Sequence, residues 1–331
     1  MIKVSFIIIG YNIEKYFDRA LQSEMNQTLK DIEIIFVNDG SKDNTEKIAL
    51  EYSQIDSRIK VINQQNLGAN VARKNGFFNA NGEFIVFIDG DDWIEVDLAE
   101  KLYNRASEGD YDIISFGHYV AYDHKKEKSS IEKTGIMNNY EYLDLIIVNE
   151  LSHNLWNKFI KCDFLKKSGF NDIPNITMGD DLAANIRFGL YKPKALVIDE
   201  YYYNYYQSTD SITRTTSMKI LEINDAIKDI EINLEKHGLT DIYREHVEFI
   251  KFHIFFTRVV KSRFKENTVQ KILYKQWKGM KINYKKNKIC IKFINNLPFS
   301  EKVLLRLYLL NYKVGYVFSV FYLKLKKRLI E

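Results

Sequence analysis

A chain of 331 residues is long enough to bury one large core with a smaller appended unit, or two domains of ordinary size. Hydrophobic residues at 46% and charged residues at 28% exclude an intrinsically disordered protein, and only two cysteines argue against a disulfide framework and favour a reducing cytosol. The formal net charge is only +4, but its distribution is uneven, with an acidic first part and a strongly basic tail.

Short apolar runs rich in branched residues alternate with segments of helical spacing through the first hundred residues. The predicted strands are residues 4–9, 32–38, 59–62 and 84–88, and the predicted helices between them are residues 14–26, 43–56 and 69–79. This alternation predicts an α/β fold with a parallel, doubly wound sheet.

The remaining chain is predicted in less detail. A fifth strand is expected at 113–122, helices at 140–149 and 180–188, and a strand at 195–198 before an aromatic block at 201–206. The polar loop 207–216 either closes over a ligand or only connects its neighbours. After residue 218 the pattern is helical throughout, so we predict a binding and catalytic domain at 1–217 and a helical, basic, aromatic-rich region at 218–331.

Polar motifs follow all four of the first strands. Gly10, Tyr11 and Asn12 follow the first strand. Residues 38–41, 65–68 and 89–92 follow the second, third and fourth strands. Parallel strands end at one edge of a sheet, where a single nucleotide can contact all four motifs. Asp39 can accept the imide proton of a uracil, and Arg73 can pair with phosphate.

Three carboxylates, Asp89, Asp91 and Asp92, directly follow the fourth strand. Carboxylates spaced two residues apart around Gly90 can turn together toward one hard divalent ion, Mg2+ or Mn2+, which would hold a diphosphate. The alternative is an acidic turn that caps the helix starting near Asp97. A zinc site is not expected, because the histidines and cysteines lack the required spacing.

In order and spacing these motifs resemble the family 2 glycosyltransferases of GT-A fold, inverting, nucleotide-sugar-dependent enzymes that build bacterial capsule, lipopolysaccharide and related polymers. The resemblance is carried by residues 4–16, 26–28, 32–44, 58–76 and 84–93, with weaker motifs at 155–159 and 179–182. Three positions depart from the family pattern: Ile9 replaces a proline, Gly90 replaces a serine, and Lys74 replaces an asparagine whose role Asn75 could take.

The resemblance implies a GT-A fold, with a Rossmann-like, mostly parallel sheet and a C-terminal helical region, and a cofactor of Mn2+ or Mg2+. It implies Asp39 on the uracil of a UDP-sugar, Arg73 near base or phosphate, Asp89 on the ribose or in the metal shell, and Asp91 on the metal. It also implies Asp181 as the catalytic base. The expected nucleotide-binding set further includes four residues of the first loop and one of the acidic motif: Gly10, Tyr11, Asn12, Glu14 and Gly90.

The chemistry is consistent with these assignments. Departure of a diphosphate requires charge relief from a cation, and a carboxylate at a helix start can take the proton of the attacking hydroxyl on the opposite face of the sugar. One displacement then inverts the anomeric centre. Asp180 and Asp181 can alternatively cap their helix, while Trp156 and Lys158 are interpreted as core and solvated surface.

From Lys261 onward, 18 Lys and Arg accompany only 3 acidic residues, interspersed with aromatic and aliphatic residues. This composition predicts peripheral attachment to the inner face of the cell membrane, and the resemblance to glycosyltransferases implies a reason for it, a lipid-linked glycan acceptor. The alternatives are a solvated face of a helical bundle or a contact in a homo-oligomer. No recognised nucleic-acid-binding module is present, so a nucleic acid partner is not predicted.

We therefore predict a cytoplasmic, inverting, metal-dependent hexosyltransferase that uses a UDP-sugar to extend a glycan of capsule, lipopolysaccharide or a related polymer. One rival is a nucleotidyltransferase, although residues 10–12 contain too little glycine for the phosphate loop usual in that class. Another is a non-catalytic, membrane-docked protein that binds nucleotide sugars or acts as a scaffold. Retention of both Asp91 and Asp181 argues against that alternative.

Overall fold

The computed structural model describes residues 1–207, 218–261 and 267–328, without the side chains of 267 and 322–328. The predicted loop at 207–216 therefore lies almost entirely outside the described residues. The described residues form two compact units. The first contains 1–207 and 222–230, and the second contains 218–221 and the described part of 231–328.

Four parallel strands build one half of the sheet in the first unit: β1 (Val4–Gly10), β2 (Ile32–Asn38), β3 (Ile59–Asn63) and β4 (Phe84–Asp89), in the order β3-β2-β1-β4. β1 and β2 are buried along their whole length, because α1 (Phe17–Met25), α2 (Thr45–Ile55) and α3 (Ala69–Phe78) connect the strands across the faces of the sheet. The predicted α/β class with a mostly parallel sheet is confirmed.

The other half of the sheet is mixed. After β5 (Trp93–Ile94) and α4 (Leu98–Gly109), β6 (Ile113–Ala121) runs parallel to the later β10 (Ala195–Tyr206). β9 (Lys158–Lys161) lies antiparallel between β4 and β6. Two short strands lie at the margin: β7 (Lys126–Lys128) pairs with β6, and β8 (Gly135–Met137) pairs with β10. The helices of this half are α5 (Glu141–Ile147), α6 (Cys162–Lys167) and α7 (Asp180–Leu190).

Two features of this half differ from the prediction. Residues 195–206 form one strand rather than a short strand and a separate aromatic block, because β10 pairs along its length with β6. β9 was not predicted as a strand, since four residues are too few for a period-two pattern.

The described residues after 218 are largely helical, as predicted. The helices are α8 (Ile223–Lys236), α9 (Arg244–Phe255), α10 (Asn267–Gly279), α11 (Lys288–Asn296), α12 (Phe299–Leu310) and α13 (Tyr312–Arg328). Gly315 lets α13 approach α12 closely, because a Cβ at this position would collide with the ring of Tyr308. None of the helices in the described ranges is both long and apolar enough to cross a membrane.

Candidate active site

Main-chain hydrogen bonds join the carboxyl ends of β1, β2 and β4. The N–H of Asp39 donates to Gly10 O, and the N–H of Gly90 donates to Ile9 O, both at 2.9 Å. A Cβ at Gly10 or at Gly90 would collide with the Ile13 side chain, so both positions need glycine. The predicted motifs of these three strands therefore meet at one edge of the sheet.

The loop after β1 is bound to the loop after β2. Asn12 accepts a hydrogen bond from the Lys42 N–H at 2.7 Å, and Glu14 Oε2 accepts two from Asn44, each at 2.8 Å. Asn12 adopts left-handed backbone with φ 54°. The side chains of Asn12 and Glu14 thus hold the two loops together, while the Tyr11 side chain is exposed. Their predicted nucleotide contacts stay predictions.

Asp39 organises the loop after β3. It is buried and accepts hydrogen bonds from Gln64 Nε2 at 2.7 Å and from the N–H groups of Leu67 at 2.9 Å and Gly68 at 3.0 Å. Asn75 Nδ2 in turn donates to Gln64 Oε1. A carboxylate offers about four lone-pair sites, so Asp39 retains capacity for the predicted uracil contact.

Lys74 does not join this network. Its Nζ donates to Ile173 O and to Asn175 Oδ1, on the segment that precedes α7. Of these two residues only Asn75 contacts Gln64, and whether Asn75 takes the role of the family's asparagine stays a prediction.

The carboxylates after β4 have different environments. Asp92 is fully buried and accepts hydrogen bonds from the Tyr206 N–H and the Tyr203 hydroxyl, both at 2.7 Å. Burial and the charges of Asp91 and Asp89 raise the pKa of Asp92 well above its usual range. Asp92 ties the acidic motif to β10 and leaves the other two carboxylates as candidate metal ligands.

Asp91 is half-buried, and burial together with the charge of Asp89 raises its pKa to about 6. Arg19 Nη2 donates to the main-chain oxygen of Asp91 at 2.9 Å, and Asp91 has no ion-pair partner among the described residues. The charge of Arg19 opposes this rise only in part, and a carboxylate whose charge is disfavoured suits a divalent cation.

Within the described ranges no group of three or more His, Cys, Asp or Glu residues could hold a metal. Asp91 and Asp89 stay the predicted metal ligands, and they could supply a cation with only two protein carboxylates, one of which, Asp89, also pairs with Arg73. Mg2+ at phosphate sites is usually bound by one or two carboxylates together with substrate phosphates.

Arg73 lies among three carboxylates. Its side chain is 7% exposed and donates to Asp89 at 2.9 Å, to Asp180 at 3.0 Å and to Asp181 at 3.4 Å. Burial lowers the pKa of Arg73, but the three negative charges more than offset this and raise it, so the guanidinium stays protonated. In this structure the Arg73 guanidinium donates only to carboxylates among the described residues. Its contact with the base or phosphate of a nucleotide stays a prediction.

Asp181 lies in the first turn of α7. The N-cap residue of this helix is Gly179, at φ 91°, so neither Asp180 nor Asp181 is the cap. The side chain of Asp181 is 27% exposed and that of Asp180 only 13%. Burial and the charge of Asp89 raise the pKa of Asp181, while Arg73, Lys158 and the main chain of Leu155 oppose this rise.

Comparison with known proteins decides the family. The family model for glycosyl transferase family 2 matches residues 5–173. The chain belongs to this family. The predicted family and enzyme class are confirmed. The matched segment ends before Asp181, so the role of that residue rests on the geometry of the site.

Related glycosyltransferases share much of the chain. Glycosyltransferase GlyA of Streptococcus pneumoniae is 32% identical over 266 residues, which are 74% of this chain but only 37% of GlyA. The cholesterol galactosyltransferase of Borreliella burgdorferi is 25% identical over 97% of this chain and 96% of its own length. The crystal structure of S. aureus TarS 1–349 with UDP-GlcNAc has a TM-score of 0.68 at 20% identity, over 86% of this chain and 82% of that one, and so shares the fold.

Lys158 of this glycosyltransferase is not the solvated residue that the sequence suggested. It is fully buried, and its Nζ donates to Ser152 O at 2.8 Å, Asn154 O at 3.0 Å and Asn157 Oδ1 at 3.1 Å. Trp156 is core, as predicted, and stacks on Tyr203 with ring centroids 4.4 Å apart. The only sequence signal for Lys158 was its place beside the apolar pair Phe159 and Ile160.

Proposed function

We propose that this glycosyltransferase transfers a hexose from a UDP-sugar to a hydroxyl of a glycan, with inversion at the anomeric carbon and with Mn2+ or Mg2+ as cofactor. The observation that carries the proposal is the shared guanidinium of Arg73. It brings Asp181 to the sheet edge where Asp89 ends β4 and Asp91 follows in the next turn. The UDP-GlcNAc bound by TarS, which has the same fold, supports a UDP-sugar donor.

The donor lies at the ends of β1, β2 and β4, with its uracil at Asp39 and its diphosphate at the acidic motif. Asp91 and Asp89 would hold the divalent cation, which would neutralise charge on the departing diphosphate. Asp91 is half-buried, so less water surrounds its carboxylate, and its attraction to the cation would be stronger than at the open surface.

Asp181 takes the proton of the acceptor hydroxyl as that oxygen attacks the anomeric carbon. Its raised pKa suits a base that works near neutral pH. Arg73 fixes the carboxylate through a direct contact, and one displacement from the face opposite the leaving diphosphate inverts the sugar.

The acceptor is a lipid-linked glycan at the inner face of the cell membrane, where the second unit docks as a peripheral protein. Four exposed apolar residues of α13 support this site: Val314, Val317, Phe318 and Phe321. Their spacing of three, four and seven residues places them on one face of the helix. No acidic residue lies between Glu301 and Glu331, and seven basic residues do, as an anionic lipid surface requires.

The test is nucleotide release by the purified chain in Mn2+ from a panel of UDP- and GDP-sugars, with and without lipid-linked glycan acceptors. We expect UDP release from a narrow set of UDP-sugars, stimulated by acceptor and reduced by about 10² to 10⁴ in the Asp181→Asn variant. Nucleotide release from GDP-sugars alone would refute a UDP-sugar as the donor. Formation of pyrophosphate from a nucleoside triphosphate and a sugar phosphate would favour a nucleotidyltransferase instead.

A further inference from the structure

The turn at residues 152–157, just before β9, is built around a buried ammonium group. The three protons of Lys158 Nζ are taken by two main-chain oxygens, of Ser152 and Asn154, and by Asn157 Oδ1. Burial of an ammonium is costly, and an apolar side chain would fill the same space at lower cost. A lysine here therefore needs an explanation beyond packing.

The same turn supports Asp181. The Leu155 main chain helps to lower the pKa of the Asp181 carboxyl. Asn185, one helical turn later on α7, donates its Nδ2 to His153 O at 2.6 Å and to Asp181 O at 2.8 Å. The Tyr142 hydroxyl donates to Asn185 Oδ1 at 2.6 Å and so fixes the orientation of that amide. The turn is held by Lys158 on one side and by α7 on the other.

We propose that Lys158 is a positioning residue for Asp181: its ammonium holds the 152–157 turn, and Asn185 ties that turn to the main chain of Asp181, so that the carboxylate keeps its place. The inference rests on the proposed role of Asp181 as base. Besides Lys158, the charged groups that face Asp181 are Arg73, Asp89 and Asp180.

The electrostatics agree with this arrangement. Burial lowers the pKa of Lys158 to about 7, and the charge of Asp181 acts in the opposite direction. Asp181 is thus the acidic group that compensates the buried ammonium, and the two residues stabilise each other's charged form.

The test is Lys158→Met in the full chain, with Lys161→Met as control, because Lys161 lies on the same strand but forms a surface pair with Asp110. We expect kcat of Lys158→Met to fall about 10- to 100-fold, the range typical of residues that orient a functional group. The UDP-sugar KM and calorimetric Kd should change less than about twofold, because the donor lies at other strand ends. Lys161→Met should match the wild type.

A double-variant comparison tests whether Lys158 acts through Asp181. In the Asp181→Asn background, Lys158→Met should reduce kcat no further, since groups that act as a unit are not additive. The same fold loss in both backgrounds, or a raised donor KM with unchanged kcat, would overturn the proposal.

Lys158→Gln provides a second variant, because its amide keeps two N–H donors for the turn but carries no charge. It should fold, with turnover between Lys158→Met and wild type. Wild-type turnover of folded Lys158→Gln, or failure of both variants to fold, would overturn the proposal. Wild-type turnover of Asp181→Asn alone would instead refute the proposed base, so the two failures are distinguishable.

Discussion

Arg73 Nη2 lies 2.9 Å from Asp89 Oδ1, and this ion pair joins α3 to the end of β4 inside the first unit. The same guanidinium reaches Asp180, 107 residues away in the sequence. One buried cation therefore holds the acidic motif of the sheet and the start of α7 in a single cluster.

Arg73→Met should destabilise the fold, because three carboxylates would remain close together without their cation. We expect the free energy of unfolding in urea to fall by about 3–5 kcal/mol, the range for breaking a buried ion pair. Lys101→Met removes a surface pair with Asp97 and should cost less than about 1 kcal/mol. Equal, small losses in both variants would contradict the structural role of Arg73.

Asp181→Asn keeps the size of the side chain but removes the proposed base. Turnover should fall by about 10² to 10⁴, while calorimetric UDP-sugar affinity stays close to wild type. Asp180→Asn is the matched control, and its loss should be smaller because Asp180 is the less exposed carboxylate of the pair. An Asp181→Asn rate within a few-fold of wild type would move the base elsewhere.

Asp91 should make UDP binding depend on both metal and pH. Its pKa is raised to about 6, so the charged carboxylate that we propose as metal ligand is lost as the pH falls through 6. UDP affinity in Mn2+ should fall over that range, and Asp91→Ala should abolish the metal-dependent part. Asp39→Ala should weaken UDP binding equally in Mn2+ and in EDTA. Equal loss of affinity in EDTA for Asp91→Ala would refute its metal role.

Glu24, a fully buried acid on α1, should make the fold less stable in alkali. Burial raises its pKa from 4.5 to about 8, so the stability from its neutral form is complete below pH 4.5 and is lost as the pH rises through 8.

Glu24→Gln should therefore gain stability over wild type as the pH rises, by about 1.4 kcal/mol for each unit of pKa difference removed. Urea unfolding at pH 5 and pH 8 measures this gain. Glu51→Gln, an exposed residue of α2, is the control and should show no pH-dependent gain. A constant difference between Glu24→Gln and wild type would show that Glu24 does not titrate as described.

Val317→Glu and Phe318→Glu, made together on α13, should prevent flotation of the full chain with anionic vesicles. The apolar row would then carry two negative charges facing an anionic surface. Ile55→Glu changes an exposed residue of α2, outside that row, and should leave flotation unchanged. For wild type, added salt should weaken flotation without abolishing it. If all variants float equally, the apolar row of α13 does not bind the membrane. It would then be a solvated face of a helical bundle or a contact in a homo-oligomer.

The sequence by itself determined the parallel sheet and the edge where the motifs meet. Strands buried on both faces must be continuous apolar runs, and the polar residues that end them, such as Asp39 and Asp89, lie at the same edge by topology. These signals are local, so they can be read from a few neighbouring residues.

Only the tertiary structure decided which polar residues are taken up by contacts within the protein. Asp91 and Asp92 are adjacent, yet Asp92 is taken by Tyr203 and Tyr206, more than a hundred residues away. Lys158 becomes buried because the turn before it folds back over its ammonium. The environment of a charged side chain depends on partners from distant segments, and no local pattern encodes which partner will be present.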